Sequence, residues 1–216
     1  MKYYNIHTHH LSYEPDVVSI QNIRVRGKML EHPILNPDHT YYSVGIHPWD
    51  VTIQDTCNQF STLRAAAQLP QVIAIGEAGL DKKHPTPFAI QQDVFEWQIK
   101  LSEQIQKPLL IHCVKAWSEV IAIKKQFKPS QPWIIHGFRG NLILAQQLLA
   151  HGFYLSYSTS FNKKSLSLDT LNRLFIETDD SATSIQSNYM QIASCLGLDI
   201  MQLQQVIANN FMSVFK

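Results

Sequence analysis

Residues 72–77 read VIAIGE, residues 108–112 read PLLIH and residues 132–136 read PWIIH. Each is a short apolar run that ends on a carboxylate or a histidine, and each reads as a β-strand. Working outward, His7 and His9 close KYYNIHTH, and Asp179 closes RLFIETD. The chain thus repeatedly delivers a metal-ligating side chain to the C-terminal end of a strand. That is where a (β/α) barrel assembles an active site from residues scattered along the sequence. His7, His9, Glu77, His112, His136 and Asp179 are enough to hold two divalent cations, and paired cations suit the hydrolysis of phosphate esters.

Further strand-like runs lie near Lys2–Ile6, Val17–Val25, Tyr41–Ile46, Phe153–Tyr157 and Arg173–Thr178, which brings the number to about eight, as a closed parallel barrel requires. Helices are legible between the later runs. Ile90, Val94, Trp97, Leu101 and Ile105 draw one apolar stripe, and Pro108 forbids its continuation. Asn141–Ala150 reads as a second helix, with Gly152 suited to left-handed backbone after it. Ile185, Tyr189, Ile192 and Leu196 form a third stripe stopped by Gly197, and Asp199 with Gln202 reads as a capping box opening the last helix. The first third is less regular. About ten residues separate His7 from the second strand, barely enough for a helical crossover, and Gly27, Pro33 and Pro37 break the stretch before Tyr41. The expected fold is α/β, a single (β/α)8 TIM barrel over residues 1–216, distorted and shortened in its N-terminal third. A second subunit would cover the flank left without helices.

The bulk composition fits an enzyme better than a coat for nucleic acid. Eighteen Lys and Arg against 17 Asp and Glu leave a formal charge of +1, far from the basic excess of a non-specific nucleic-acid binder. No apolar run approaches the ~20 residues that span a bilayer, and MKYYNIHTHH contains no apolar signal core; a cytoplasmic protein is expected. Cys57, Cys113 and Cys195 form no CxxC pair and read as reduced thiols. Cys113 alternates away from His112 in its strand.

Residues two apart in a strand share a face, so His7 and His9 point together while His10 faces away. Glu77 ends a buried run, where a carboxylate is costly unless paired or bound to a cation. Its two oxygens are suited to bridging two cations ~3.5–4 Å apart. His112 and His136 are placed to complete the second site; Asp179 is placed to complete the first and to orient water. His32, His39, His84 and His151 read as surface residues, and Lys82 and Lys83 as exposed cations near the mouth.

In this order the motifs HTH (His7–His9), GIHP (Gly45–Pro48), GEAGLD (Gly76–Asp81), LLIHC (Leu109–Cys113), HGFRG (His136–Gly140) and ETD (Glu177–Asp179) resemble the TatD-related metal-dependent DNases. Asn209 and Phe211 in NNFMSVF resemble that family's closing helix. The resemblance implies a first metal on His7, His9, Glu77 and Asp179, and a second on Glu77, His112 and His136. It implies DNA as substrate and trimming from the 3′ end, while histidine–carboxylate ligands suit magnesium, manganese or zinc. Glu77 and Asp179 would be the catalytic carboxylates, with His47 facing the substrate phosphate. The family's usual acidic residue before the first histidine is Asn5 here, its arginine after the fourth ligand is Val114, and the proline after ETD is absent. Lys115 or Arg139 would supply the missing charge to the substrate. Two rivals share these residues: an amidohydrolase-like enzyme acting on a small amide or lactone, and a metal-binding relative without catalysis.

Overall fold

The computed structural model describes residues 1–10, 14–35, 40–52 and 54–215; Pro37 and His39, read above as a chain break and a surface histidine, lie outside them. The strands are β1 (Tyr3–Thr8), β2 (Val17–Arg26), β3 (Met29–Leu30), β4 (Thr40–Gly45), β5 (Val72–Asp81), β6 (Leu109–Val114), β7 (Trp133–Ile135), β8 (Phe153–Tyr157) and β9 (Leu174–Ile176). The helices are α1 (Thr56–Ala67), α2 (Phe88–Ile105), α3 (Trp117–Phe127), α4 (Leu142–Ala150), α5 (Ile185–Leu196) and α6 (Ile200–Val214). Hydrogen bonding follows the order β1-β2-β4-β5-β6-β7-β8-β9, with β3 off this path on β2. A parallel bridge between Thr8 and Asp179 ties the end of β1 to the segment after β9. This is the strand order expected of a (β/α)8 chain.

The irregular first third is as the sequence suggested. Among the described residues, no helix lies between β1 and β2. Between β2 and β4 the described residues form only the antiparallel hairpin that pairs Val25 with Leu30, turned at Gly27 with φ +59°. Helices α1 and α3 were not individually legible. The polar sequence of α1, TCNQFSTLRAAA, buries only Gln59, Leu63, Ala66 and Ala67.

The chain divides into two compact units. Unit 1 comprises Met1–Gln21, Pro37–Tyr41 and Ile134–Lys216. Its core includes Ile6, Leu155, Phe175, Tyr189, Ile192, Leu203 and Ile207, all buried, as α5 and α6 lay their apolar stripes on β1 and β9. The capping box at Asp199 and Gln202 is present and satisfies the first turn of α6, worth about 1 kcal/mol. Asn209 and Phe211 both lie in the closing helix α6. Asn209 is exposed, and it is Asn210 that reaches inward, donating to the carbonyls of Leu171 and Leu174 at 2.7 and 2.9 Å.

Unit 2 comprises Asn22–Asn36 and Tyr42–Trp133. Helix α2 packs on β5, and Phe95 meets the fully buried Trp133 edge-on at 5.8 Å. Two glutamines interrupt the buried face of α2, and both bind backbone. Gln98 accepts from the Ile46 amide at 2.8 Å and donates to its carbonyl at 3.0 Å. Gln91 does the same for Asp81 at 2.8 and 3.0 Å. Gly79 lets β5 approach β6: a Cβ there would collide with the His112 carbonyl.

Candidate metal centre

In unit 1, β1 carries His7, which is fully buried, and His9 follows one residue beyond the strand. Asp179 comes three residues after β9 in left-handed backbone at φ +56°. Its amide donates to the His7 carbonyl at 3.0 Å, and its own carbonyl accepts from His9 at 3.3 Å. Nε2 of His7 and Nε2 of His9 each stand 3.7 Å from Oδ1 of Asp179. That is too long for a hydrogen bond. It suits donors sharing an ion, since ligands at ~2.0–2.2 Å from one cation stand roughly 3.2–3.6 Å apart. His136 lies just beyond β7 with its ring centroid 4.3 Å from that of His7, and it also groups with Glu177 and Asp179. This half of the centre therefore fits a cation.

Glu177 was read only as part of ETD, yet it is fully buried. Its Oε1 accepts from the Gly137 amide at 2.7 Å and faces His136 Nδ1 at 3.4 Å. Among the described residues its Oε2 has no hydrogen-bond partner. A carboxylate in that position is expensive unless positive charge compensates it. A carboxylate behind a ligating histidine also fixes which ring nitrogen faces the ion. Asn5, the departure from the acidic family residue, splints this segment: it accepts from the Thr178 amide at 3.0 Å and donates to Thr178 Oγ1 at 2.8 Å. Asn188 donates to the Glu177 carbonyl at 2.7 Å.

Unit 2 holds Glu77, His112 and His47 together. Here the sequence reading needs correction on position. Glu77 does not end its strand; β5 continues to Asp81, because GEAGLD keeps pairing with β6 through Asp81 and Val114. The Glu77 amide donates to Asn22 at 2.8 Å. Oε1 of Glu77 meets His112 Nδ1 at 2.7 Å and His47 Nε2 at 3.2 Å, so this cluster closes on itself by hydrogen bonds. Burial holds the His47 imidazole below the ordinary histidine range, against the opposing pull of Glu77.

Asp81, quoted only as the end of a motif, stands on the far side of His112, with Oδ2 3.5 Å from Nε2. The same oxygen accepts from Trp49 Nε1 at 2.7 Å, and Oδ1 accepts from the Lys83 amide at 2.7 Å. Burial pushes the Asp81 carboxyl up, but these bonds outweigh it and leave it below the usual range. Its sequence signal was a carboxylate four residues after Glu77, at the true end of β5.

The other candidates fall as follows. Lys115 and Arg139 are exposed. Lys82 is not a free cation at the mouth; its ammonium pairs with Glu119. His84 is not merely a surface residue, because its ring stacks on Trp49 with centroids 5.6 Å apart. His10 is exposed, and its Nε2 faces the Asp180 carbonyl at 3.2 Å. His32 is exposed and His151 half-buried. Cys57 and Cys195 are exposed, while Cys113 is buried. No helix among the described residues is long and apolar enough to cross a membrane.

Comparison with known proteins identifies relatives of this chain. An uncharacterized metal-dependent hydrolase of Buchnera aphidicola is 31% identical over 205 residues, covering 81% of this chain and 76% of that protein. The 3′-5′ ssDNA/RNA exonuclease TatD of Citrobacter rodentium is 30% identical over 152 residues, covering 65% of this chain and 57% of that protein. Among solved structures, the TatD homolog YJJV of Escherichia coli superposes with a TM-score of 0.72 at 20% identity, covering 83% of this chain and 78% of that one, and so shares its fold. The description "TatD related DNase" matches residues 27–216. With that match over most of its length, and with histidine–carboxylate clusters at its strand ends, the chain belongs to the TatD related DNase family and is a metal-dependent hydrolase of that type.

Proposed function

We propose that the chain cleaves phosphodiester bonds of single-stranded nucleic acid, trimming from the 3′ end, with two divalent cations. The carrying observation is the ligand spacing in unit 1, where two histidine nitrogens each stand 3.7 Å from one carboxylate oxygen. His7, His9 and Asp179 would hold one cation, oriented by Glu177 through His136. Glu77 and His112 would hold the other, with Asp81 behind His112. Magnesium, manganese and zinc all suit such oxygen and nitrogen donors. When bound, such ions polarise the phosphoryl oxygen and acidify water.

The remaining work falls to the chain's own groups. Asp179 keeps 21% of its side chain exposed, so it is the carboxylate positioned to orient the attacking water and take its proton. Glu77 anchors His112 and His47 on one oxygen. His47 retains 3% exposure and contacts Glu77 directly, which favours a positioning role over contact with the phosphate. Lys115 and Arg139 supply exposed positive charge for the backbone of the substrate. The nuclease name of the Citrobacter relative supports this substrate class.

The test is cleavage of a single-stranded oligonucleotide with metal, with chelator, and by Glu77→Ala. Cleavage should need metal and vanish in the variant. Undiminished cleavage by Glu77→Ala overturns the proposal, and turnover of a cyclic amide instead moves the chemistry to the amidohydrolase reading. The helix-free stretch around β2 and β3 is proposed as a subunit contact, which light scattering would refute by finding a monomer.

A further inference from the structure

Trp49 is the unusual residue beside the Glu77 cluster. A tryptophan normally hides its ring, yet this one is 48% exposed while being held from several directions. Its indole N–H donates to Asp81 Oδ2 at 2.7 Å, and its amide N–H donates to His47 Nδ1 at 3.1 Å. The turn that carries it is closed by the Asp50 amide on the His47 carbonyl at 2.9 Å. The ring stands edge-on to His47 at 4.8 Å and to His112 at 5.9 Å. The Arg24 guanidinium, itself paired with Asp50 at 2.6 Å, lies 6.0 Å from the ring centre. His84 lies nearly parallel to it, 17° between planes at 5.6 Å, an offset arrangement. His84 is in turn held at Nδ1 by Thr86 Oγ1 at 2.9 Å.

A solvent-facing aromatic with no conformational freedom left to lose is suited to stacking a flat ligand. Its hydrogen bonds run to Asp81 and His47, the two groups that touch His112 and Glu77. Whatever stacks on Trp49 is therefore registered against the reacting centre. Nucleic-acid bases all offer a π-face to such a surface, and base-paired ones do not expose it.

Resting on the proposed nuclease function, we propose that Trp49, with His84 beside it, is the base-stacking platform of this site. It would select an unpaired nucleobase next to the scissile phosphate. Trp49 is thus a specificity-determining residue, and a sugar–phosphate backbone without bases is a poor substrate.

The experiment compares an octathymidylate with an octamer of the same phosphate count built from abasic tetrahydrofuran units, using metal-loaded wild type, Trp49→Ala and Trp49→Phe. Wild type should show a KM for the base-bearing strand roughly 5- to 150-fold below that for the abasic strand. Trp49→Ala should raise the first KM toward the second, and Trp49→Phe should retain most of the preference. Octathymidylate should also quench a component of tryptophan fluorescence that Trp49→Phe lacks, and the abasic strand should not. Equal KM values in wild type overturn the inference, as does a Trp49→Ala loss that is the same on both strands, which marks a structural role. If wild type cleaves neither strand, the nuclease function fails, and the quenching comparison still decides whether bases stack on Trp49.

Discussion

The two ligand clusters are built from the same residue types and behave differently. In unit 1, His7 and His9 stand 3.7 Å from Asp179, spaced as if around something. Beside them Glu177 buries a carboxylate oxygen with no hydrogen-bond partner among the described residues. In unit 2, Glu77, His112 and His47 are in direct hydrogen-bond contact, and Asp81 is fully engaged by Trp49 and the Lys83 amide. One cluster spaces its donors as ligands around a cation would be spaced; the other joins its donors by direct hydrogen bonds. A buried polar set that is already satisfied must give up hydrogen bonds to take an ion, whereas a pre-spaced one gives up little. Unit 1 should therefore bind its ion more tightly, and unit 2 should stay folded better without one.

Removing a ligand from each cluster gives the largest effects. Asp179→Asn and Glu77→Gln should each reduce cleavage to background, a loss of at least about 10²-fold. Elemental analysis should find one cation fewer per chain in each variant. Retention of both cations by either variant would break the comparison outright.

The carboxylates behind the histidines test the same contrast more finely. Glu177→Gln keeps an acceptor for the Gly137 amide but removes a buried charge. It should weaken metal binding by about 10- to 100-fold while leaving the metal-free protein as stable as wild type, or more so. Asp81→Asn should do the reverse in the metal-free protein. It disrupts bonds to Trp49, Lys83 and His112, and so should cost about 1–3 kcal/mol in denaturant titrations. Were both variants to lose stability alike, the two clusters would not differ as described.

The ligands were legible because each follows or closes an apolar run, a pattern that alternation and strand-end position translate directly into location. His7, His9 and Asp179 fall together as that pattern implied. Glu77 was legible as a ligand and misplaced as a strand end, because Gly76 and Gly79 resemble a turn in sequence although β5 runs through both. Asp81 and Glu177 were invisible as orienting groups. Their role depends on contacts to His112 and His136, 31 and 41 residues away in the chain, which no local pattern encodes. Gln91 and Gln98 were likewise passed over, since polar residues on a buried helix face read as interruptions until their backbone partners are known. Of the fold, α2, α4, α5 and α6 were legible from stripes and caps, and α1 was not because its buried face is short and partly polar.

Acid should expose the self-satisfied cluster next. The buried His47 binds a proton less readily folded than unfolded. Its contribution to the stability of the metal-free protein is thus fully present above the unfolded histidine value of about 6.5. It declines as pH falls from there toward the lowered folded value, because the unfolded chain takes up the proton first. Denaturation of chelator-treated protein across that window should show a shallower acid slope for His47→Gln than for wild type. An unchanged slope would mean that His47 is not held neutral in unit 2.

The smallest expected effect reads the same cluster without mutation. Cys113 follows His112 in β6, and burial pushes its thiol up to about 12, whereas Cys57 and Cys195 are exposed. The thiolate is the reactive form, so a disulfide reagent at neutral pH should modify Cys57 and Cys195 in the folded protein and leave Cys113 untouched. Because Glu77, His112 and Asp81 hold one another directly, chelation should not change that count. If stripping the metal makes Cys113 react as quickly as the exposed thiols, then β6 opens when its ion leaves. In that case unit 2 depends on a cation as much as unit 1 does, and its hydrogen bonds do not hold the cluster.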